Sequence, residues 1–135
     1  MRKNAKYAAK QMQRWHEQGK TGVKGYCLKT CREAWKIPAK YPSAIVAWNN
    51  TPKKHKHTDH KLAPIGAVHY YRGGRYGHIV IQSELKNKVW GTDLPVTNKI
   101  GLHHRRLPVN KWKYKYLGWA SWLNGHELPL KDMPK

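Results

Sequence analysis

Phenylalanine is absent, cysteine occurs twice, and only seven acidic side chains stand against 27 lysines and arginines. Without Phe, the core volume falls to seven Trp and eight Tyr, each of which must also place an N–H or O–H. Cys27 and Cys31 lie one helical turn apart, a poor arrangement for bridging each other, so a disulfide framework within the chain is excluded. No apolar run reaches membrane-spanning length. Met1-Arg2-Lys3 and the residues to Lys10 lack the apolar stretch of an export signal, so synthesis in a cytoplasm and release by a separate route are expected. The shortage of acid leaves a formal charge of +20, which says nothing about fold but predicts attraction to polyanions. Basic residues run along the whole chain, so they do not form a disordered arm. Nucleic acid and an anionic surface such as a bacterial wall both fit.

What is present is the patterning of one domain of 135 residues. Ala5, Ala8, Met12 and Trp15 recur at spacings of three and four, predicting an amphipathic helix over 4–18 that stops at Gly19. A Gly-bearing loop leads to a second helix over 26–36, closed by Pro38. Ser43 is a candidate N-cap for a third helix from Ala44 to Asn49. The Lys- and His-rich stretch from Thr51 to His60 reads as a loop. From Pro64 the signals become strands: 66–71, a turn at Arg72-Gly73-Gly74-Arg75, then 77–82, then 88–91. Pro108 to Tyr116 is expected as a short helix with Trp112 and Tyr116 on one face. Residues 117–123 have strand content, and Asn124-Gly125 is a turn signal. Helices first and an antiparallel meander after them define an α+β domain.

Two residues carry chemistry. Cys27 falls at a helix start, where unpaired N–H groups and the positive dipole end lower a thiol pKa. His78 opens the strand Gly77-His78-Ile79-Val80-Ile81, where an imidazole could take the thiol proton and return it to a leaving amine. Cys31 is expected to face the core with Ala34 and Trp35. The run His55-Lys56-His57-Thr58-Asp59-His60 offers metal-ligand types, but the lysines at 53, 54 and 56 oppose a cation, so a solvated basic loop is expected and no metal or cofactor. His103-His104-Arg105-Arg106 reads as part of an anion-binding surface.

Several segments occur in an order that resembles the papain-like cell-wall peptidases and amidases of the NlpC and CHAP types, most closely small phage lysin domains. They are Gly25-Tyr26-Cys27-Leu28, Tyr41-Pro42-Ser43-Ala44 with Ala47-Trp48, and Pro64-Ile65-Gly66-Ala67-Val68-His69-Tyr70. Gly77-His78-Ile79-Val80-Ile81, Val89-Trp90-Gly91-Thr92-Asp93 and Tyr116-Leu117-Gly118-Trp119 with Leu123-Asn124-Gly125 complete the set. The likeness spans about 22–128, leaving 1–21 as an N-terminal helical extension to a catalytic core. It implies a papain-like core of helices on an antiparallel meander, Cys27 as nucleophile and His78 as general base and acid. A third polar residue would hold the imidazole; Asp93 is the first choice and Gln82 its competitor. Tyr26, Gln82 and Trp48 would border the oxyanion site and substrate cleft. Tyr26 and Leu28 depart from the Asp and Ser that usually flank the cysteine in the NlpC type, leaving the Cys27 backbone N–H as an oxyanion donor.

The resemblance implies a peptidoglycan hydrolase cutting amide bonds, monomeric or carried in a phage particle, that reaches anionic wall polymers through its charge. The competing reading is a basic virion protein that binds nucleic acid on an inactive hydrolase fold. In that reading Trp48, Tyr70, Tyr71 and Trp122 are exposed rings that stack on bases.

Overall fold

The computed structural model describes residues 3–131. Its elements follow the expected order: α1 (Tyr7–Glu17), α2 (Cys27–Ala34), α3 (Ala44–Asn49), β1 (Lys56–His57), β2 (Val68–Arg72), β3 (His78–Gln82), β4 (Lys88–Thr92), β5 (Ile100–His104), α4 (Leu107–Trp112), β6 (Lys115–Ala120), β7 (Trp122–Leu123) and β8 (His126–Glu127). Six strands form one antiparallel sheet in the order β1-β6-β2-β3-β4-β5, and β7 pairs with β8 in a separate hairpin across Asn124-Gly125. The α+β class and the antiparallel β2–β4 run are therefore as expected.

Alternation along the strands builds two faces. Val68, Tyr70, Ile79 and Ile81 point to one side, where they meet Ala8, Ala9 and Met12 of α1 and Leu28, Cys31 and Ala34 of α2. Tyr71, Val80 and Val89 point to the other, under Val109, Tyr114 and Tyr116. Three of the Trp and Tyr side chains that replace Phe find partners, whereas the buried Tyr70 hydroxyl has none among the described residues. Trp35 Nε1 donates to the Gly66 carbonyl at 3.2 Å, Trp119 Nε1 donates to the Asp59 carbonyl at 2.8 Å, and the Tyr71 hydroxyl donates to the Arg105 carbonyl.

α3 has the expected bounds, and the Ser43 hydroxyl caps it by accepting from the Val46 N–H at 3.4 Å. Three expectations need correcting. The stretch 51–60 is not all loop: Lys56 and His57 pair with Ala120 and Trp119 at the sheet edge. The helix expected to run through Tyr116 stops at Trp112, because Lys113 turns left-handed at φ 62° and Lys115 begins β6. Tyr116 consequently lies in the sheet, 5.4 Å ring to ring from Tyr71. Residues 100–104, for which no strand was expected, form β5 along β4 from Thr92↔Ile100 to Lys88↔His104.

Candidate active site

α2 lies against β3 and sets both cysteines beside the Ile79 peptide. The Cys31 thiol donates to the Ile79 carbonyl at 3.6 Å and is wholly buried, which is the core role expected of it. One turn earlier, half-buried Cys27 opens the helix and borders a cavity of about 360 Å³ at the end of the sheet. His78, Asp93, Trp112 and the exposed ring of Tyr76 share that cavity. Burial pushes the Cys27 thiol up to about 11. The backbone N–H groups of Ile79, Leu28 and Cys27 pull the other way, and the Asp93 charge adds to the rise.

His78 is placed by the turn before it. Gly77 has φ +73°, and a Cβ there would stand 3.0 Å from the Tyr71 carbonyl oxygen and 3.2 Å from the Ile45 backbone nitrogen. Only glycine suits that backbone and that approach. The Ile45 N–H donates to the Tyr76 carbonyl at 2.9 Å, tying the start of α3 to the same turn. His78 pairs with Tyr71 across β2, and its ring meets Trp112 edge-on at 5.1 Å between centroids. Cys27 thus reaches the cavity from the Ile79 side of β3 and the imidazole from the Tyr71 side. No hydrogen bond joins them among the described residues. His78 Nε2 is buried without a partner among those residues, which leaves Nδ1 as the nitrogen able to meet the cavity. Burial, with a smaller push from His103, takes His78 down to about 3. The resting pair is uncharged.

Asp93 reaches the cavity, but its carboxylate makes no hydrogen bond to His78 among the described residues. Continuing the β3–β4 register from Ile81↔Trp90 would bring it opposite His78, yet the chain leaves the ladder at Thr92 and Asp93 turns left-handed at φ 67°. Its two carboxylate oxygens accept from the Asn98 N–H at 2.7 Å and the Gly25 N–H at 3.0 Å. It acts as a loop-forming Asx residue that also grips the segment before Cys27. Asn98, which the sequence reading did not single out, completes the grip. Its Oδ1 accepts from the N–H groups of Gly22, Val23 and Lys24 at 2.9, 3.0 and 3.2 Å. Four consecutive amides leading into α2 are therefore held by two side chains of the β4–β5 loop.

Gln82 does not line the Cys27 cavity. It ends β3 at the opposite end from His78, where its Oε1 faces His69 Nε2 at 2.8 Å. Its Nε2 donates to the carbonyls of Ser83, Leu85 and Lys88. Trp48 is likewise elsewhere, tilted against Tyr70 with Lys56 over its ring at 4.5 Å. Tyr26 adjoins Cys27 in the chain but does not line the Cys27 cavity; it is exposed, with its carbonyl accepting from the Thr30 hydroxyl at 2.7 Å.

The remaining histidines separate. His55 stacks on Trp122 and lies 3.6 Å from Glu127, His57 stacks on Trp119 at 4.1 Å, and His60 meets Tyr116 edge-on. His103 is buried on β5 and belongs to no anion-binding surface; its Nδ1 donates to the His104 carbonyl at 2.8 Å, and its Nε2 has no partner among the described residues. Gly91 on the neighbouring strand makes room for Val80, whose Cγ1 would lie 2.6 Å from a Cβ there. Tyr70 and Tyr71 are buried, so neither can stack on a base. No helix among the described residues is long and apolar enough to cross a membrane.

Comparisons of the chain with protein-family models, with curated proteins and with solved structures find no match.

Proposed function

We propose that the chain is a cysteine hydrolase with a papain-like core that cuts amide bonds of bacterial peptidoglycan. One observation carries this reading: a thiol at a helix start and an imidazole at a strand start border one cavity. An uncharged resting pair is compatible with catalysis if thiolate and imidazolium form together, each offsetting the desolvation of the other. The proton passes from Cys27 Sγ to His78 Nδ1. The thiolate adds to the amide carbonyl, and the imidazolium protonates the departing amine. Water then releases the acyl group with His78 as base. The same N–H groups that lower the thiol are suited to an oxyanion forming beside the sulfur. Asp93 and Asn98 hold the loop that presents Cys27, so they are positioning residues.

A charge of +20 brings the enzyme to walls rich in anionic polymer, and that attraction weakens with salt.

Digestion of purified peptidoglycan, read by mass spectrometry of the fragments, tests the proposal. Cys27→Ala should abolish new amine and carboxyl ends while leaving wall binding and the circular dichroism spectrum unchanged. Hydrolysis undiminished in that variant would sink the reading. A second reading, an inactive hydrolase fold that binds polyanions, has the missing Cys27–His78 hydrogen bond and the engaged Asp93 carboxylate on its side. It predicts no fragments from either protein.

A further inference from the structure

A second cavity is larger than the one at Cys27. It measures about 760 Å³ and lies past the other end of β3, beside Gln82 and the turn that follows. Five residues of strand separate the two sites, roughly 15 Å along β3. Four lysines from four separate segments surround it: Lys6 ahead of α1, Lys61 in a short 3-10 turn, Lys86 in the β3–β4 turn and Lys131 near the end of the described chain. His60 adds a fifth nitrogen ligand for an anion. Glu84 is the acid on the rim, and its carboxylate lies 3.7 Å from Lys6. Lys61 and Lys86 have no carboxylate partner among the described residues.

We infer that this lysine-ringed cavity is a binding site for the polyol-phosphate chain of a bacterial wall polymer. Its shape and lining favour that occupant over nucleic acid. Neither Trp nor Tyr lines it, so it offers no ring on which unstacked bases could lie. A concave site also cannot enter a duplex groove, which takes a projecting helix or ribbon. A flexible chain of phosphates and short polyols needs only spaced cations and a mixed floor. The lysines supply the first, and Asn87, Ser83, Pro64 and Ile65 supply the second. The Gln82 carboxamide braces that floor by donating to the Ser83, Leu85 and Lys88 carbonyls at 3.1 to 3.2 Å. With a wall polymer held at one end of β3, the other end would be kept against neighbouring peptidoglycan, so the site would do the work of a separate wall-binding domain.

The choice of polymer rests on the wall-hydrolase reading, but binding is measured without turnover, in the Cys27→Ala background. Cosedimentation with purified Gram-positive walls is compared before and after hydrofluoric acid strips their polyol phosphate. Stripping should weaken binding at least tenfold. Lys61→Glu/Lys86→Glu should lose as much on untreated walls, whereas Lys10→Glu/Lys115→Glu, an equal charge change away from the cavity, should lose less than threefold. Soluble polyglycerol phosphate should displace the parent protein from walls at a lower phosphate concentration than single- or double-stranded DNA. Equal losses from the two double variants, undiminished binding to stripped walls, or stronger displacement by DNA would each overturn the assignment.

Discussion

The two ends of β3 divide the molecule's polar chemistry between them. At the His78 end the reactive groups are few and buried, and burial holds the thiol and the imidazole uncharged. At the Gln82 end the charges are many, and they sit on separate loops around an open cavity. A nucleophile gains from exclusion of water and from fixed N–H dipoles, while capture of a polyanion gains from exposed cations.

Acid should break the comparison most severely, because it charges what the interior keeps neutral. Burial takes His69 from 6.5 to about 4 and His78 from 6.5 to about 3. The unfolded chain therefore binds more protons below pH 6.5, and stability present above that pH is lost as pH falls toward 4 and then 3. At about 1.4 kcal/mol per pH unit, each histidine accounts for a few kcal/mol. Thermal unfolding by circular dichroism should show a falling midpoint from pH 7 to pH 4, and His69→Gln should flatten that slope. A midpoint constant over that range would mean that these imidazoles are not held neutral.

Asn98→Gly sharpens the His78 end alone. Asn98 has φ 65°, so glycine keeps the backbone and removes only the acceptor of three N–H groups. A loss of about 2 kcal/mol is expected, with a fall in kcat and little change in wall binding. Asn98→Asp, which keeps an acceptor, should recover most of the stability. A stable, fully active Asn98→Gly would remove the loop from the account of Cys27. The smallest effect concerns the other end: raising salt from 0.05 to 0.5 M should weaken wall binding several-fold while leaving hydrolysis of small soluble muropeptides within twofold. Equal salt sensitivity of both activities would erase the distinction between the two ends.

The parts of this arrangement that are local in sequence are the parts legible there. Ser43 before an apolar run gives α3, and Gly77 before His78 gives the turn and the strand. β5 escapes notice because Ile100-Gly101-Leu102-His103-His104 shows no clean alternation; His103 is covered by neighbours from β4 instead of facing solvent. The end of α4 is hidden because a left-handed lysine, not a glycine or proline, makes the break. Cys27 and His78, singled out by type and context, do border one cavity. The grip of Asp93 and Asn98 on 22–25 is not legible, since it joins residues 68 to 76 positions apart through backbone N–H groups that no side-chain pattern announces.

The most direct test of the central claim is the pH dependence of Cys27 alkylation by iodoacetamide, followed by peptide mass spectrometry in the unmutated chain and in His78→Gln. Cys31, buried and bonded to the Ile79 carbonyl, serves as the unreactive internal reference. If His78 takes the thiol proton as the iodoacetamide is attacked, Cys27 alkylation at neutral pH runs faster than a thiol held near 11 allows by itself, and His78→Gln slows it at least tenfold there. Identical profiles in both proteins, each rising only toward the high thiol pKa near 11, would contradict the account.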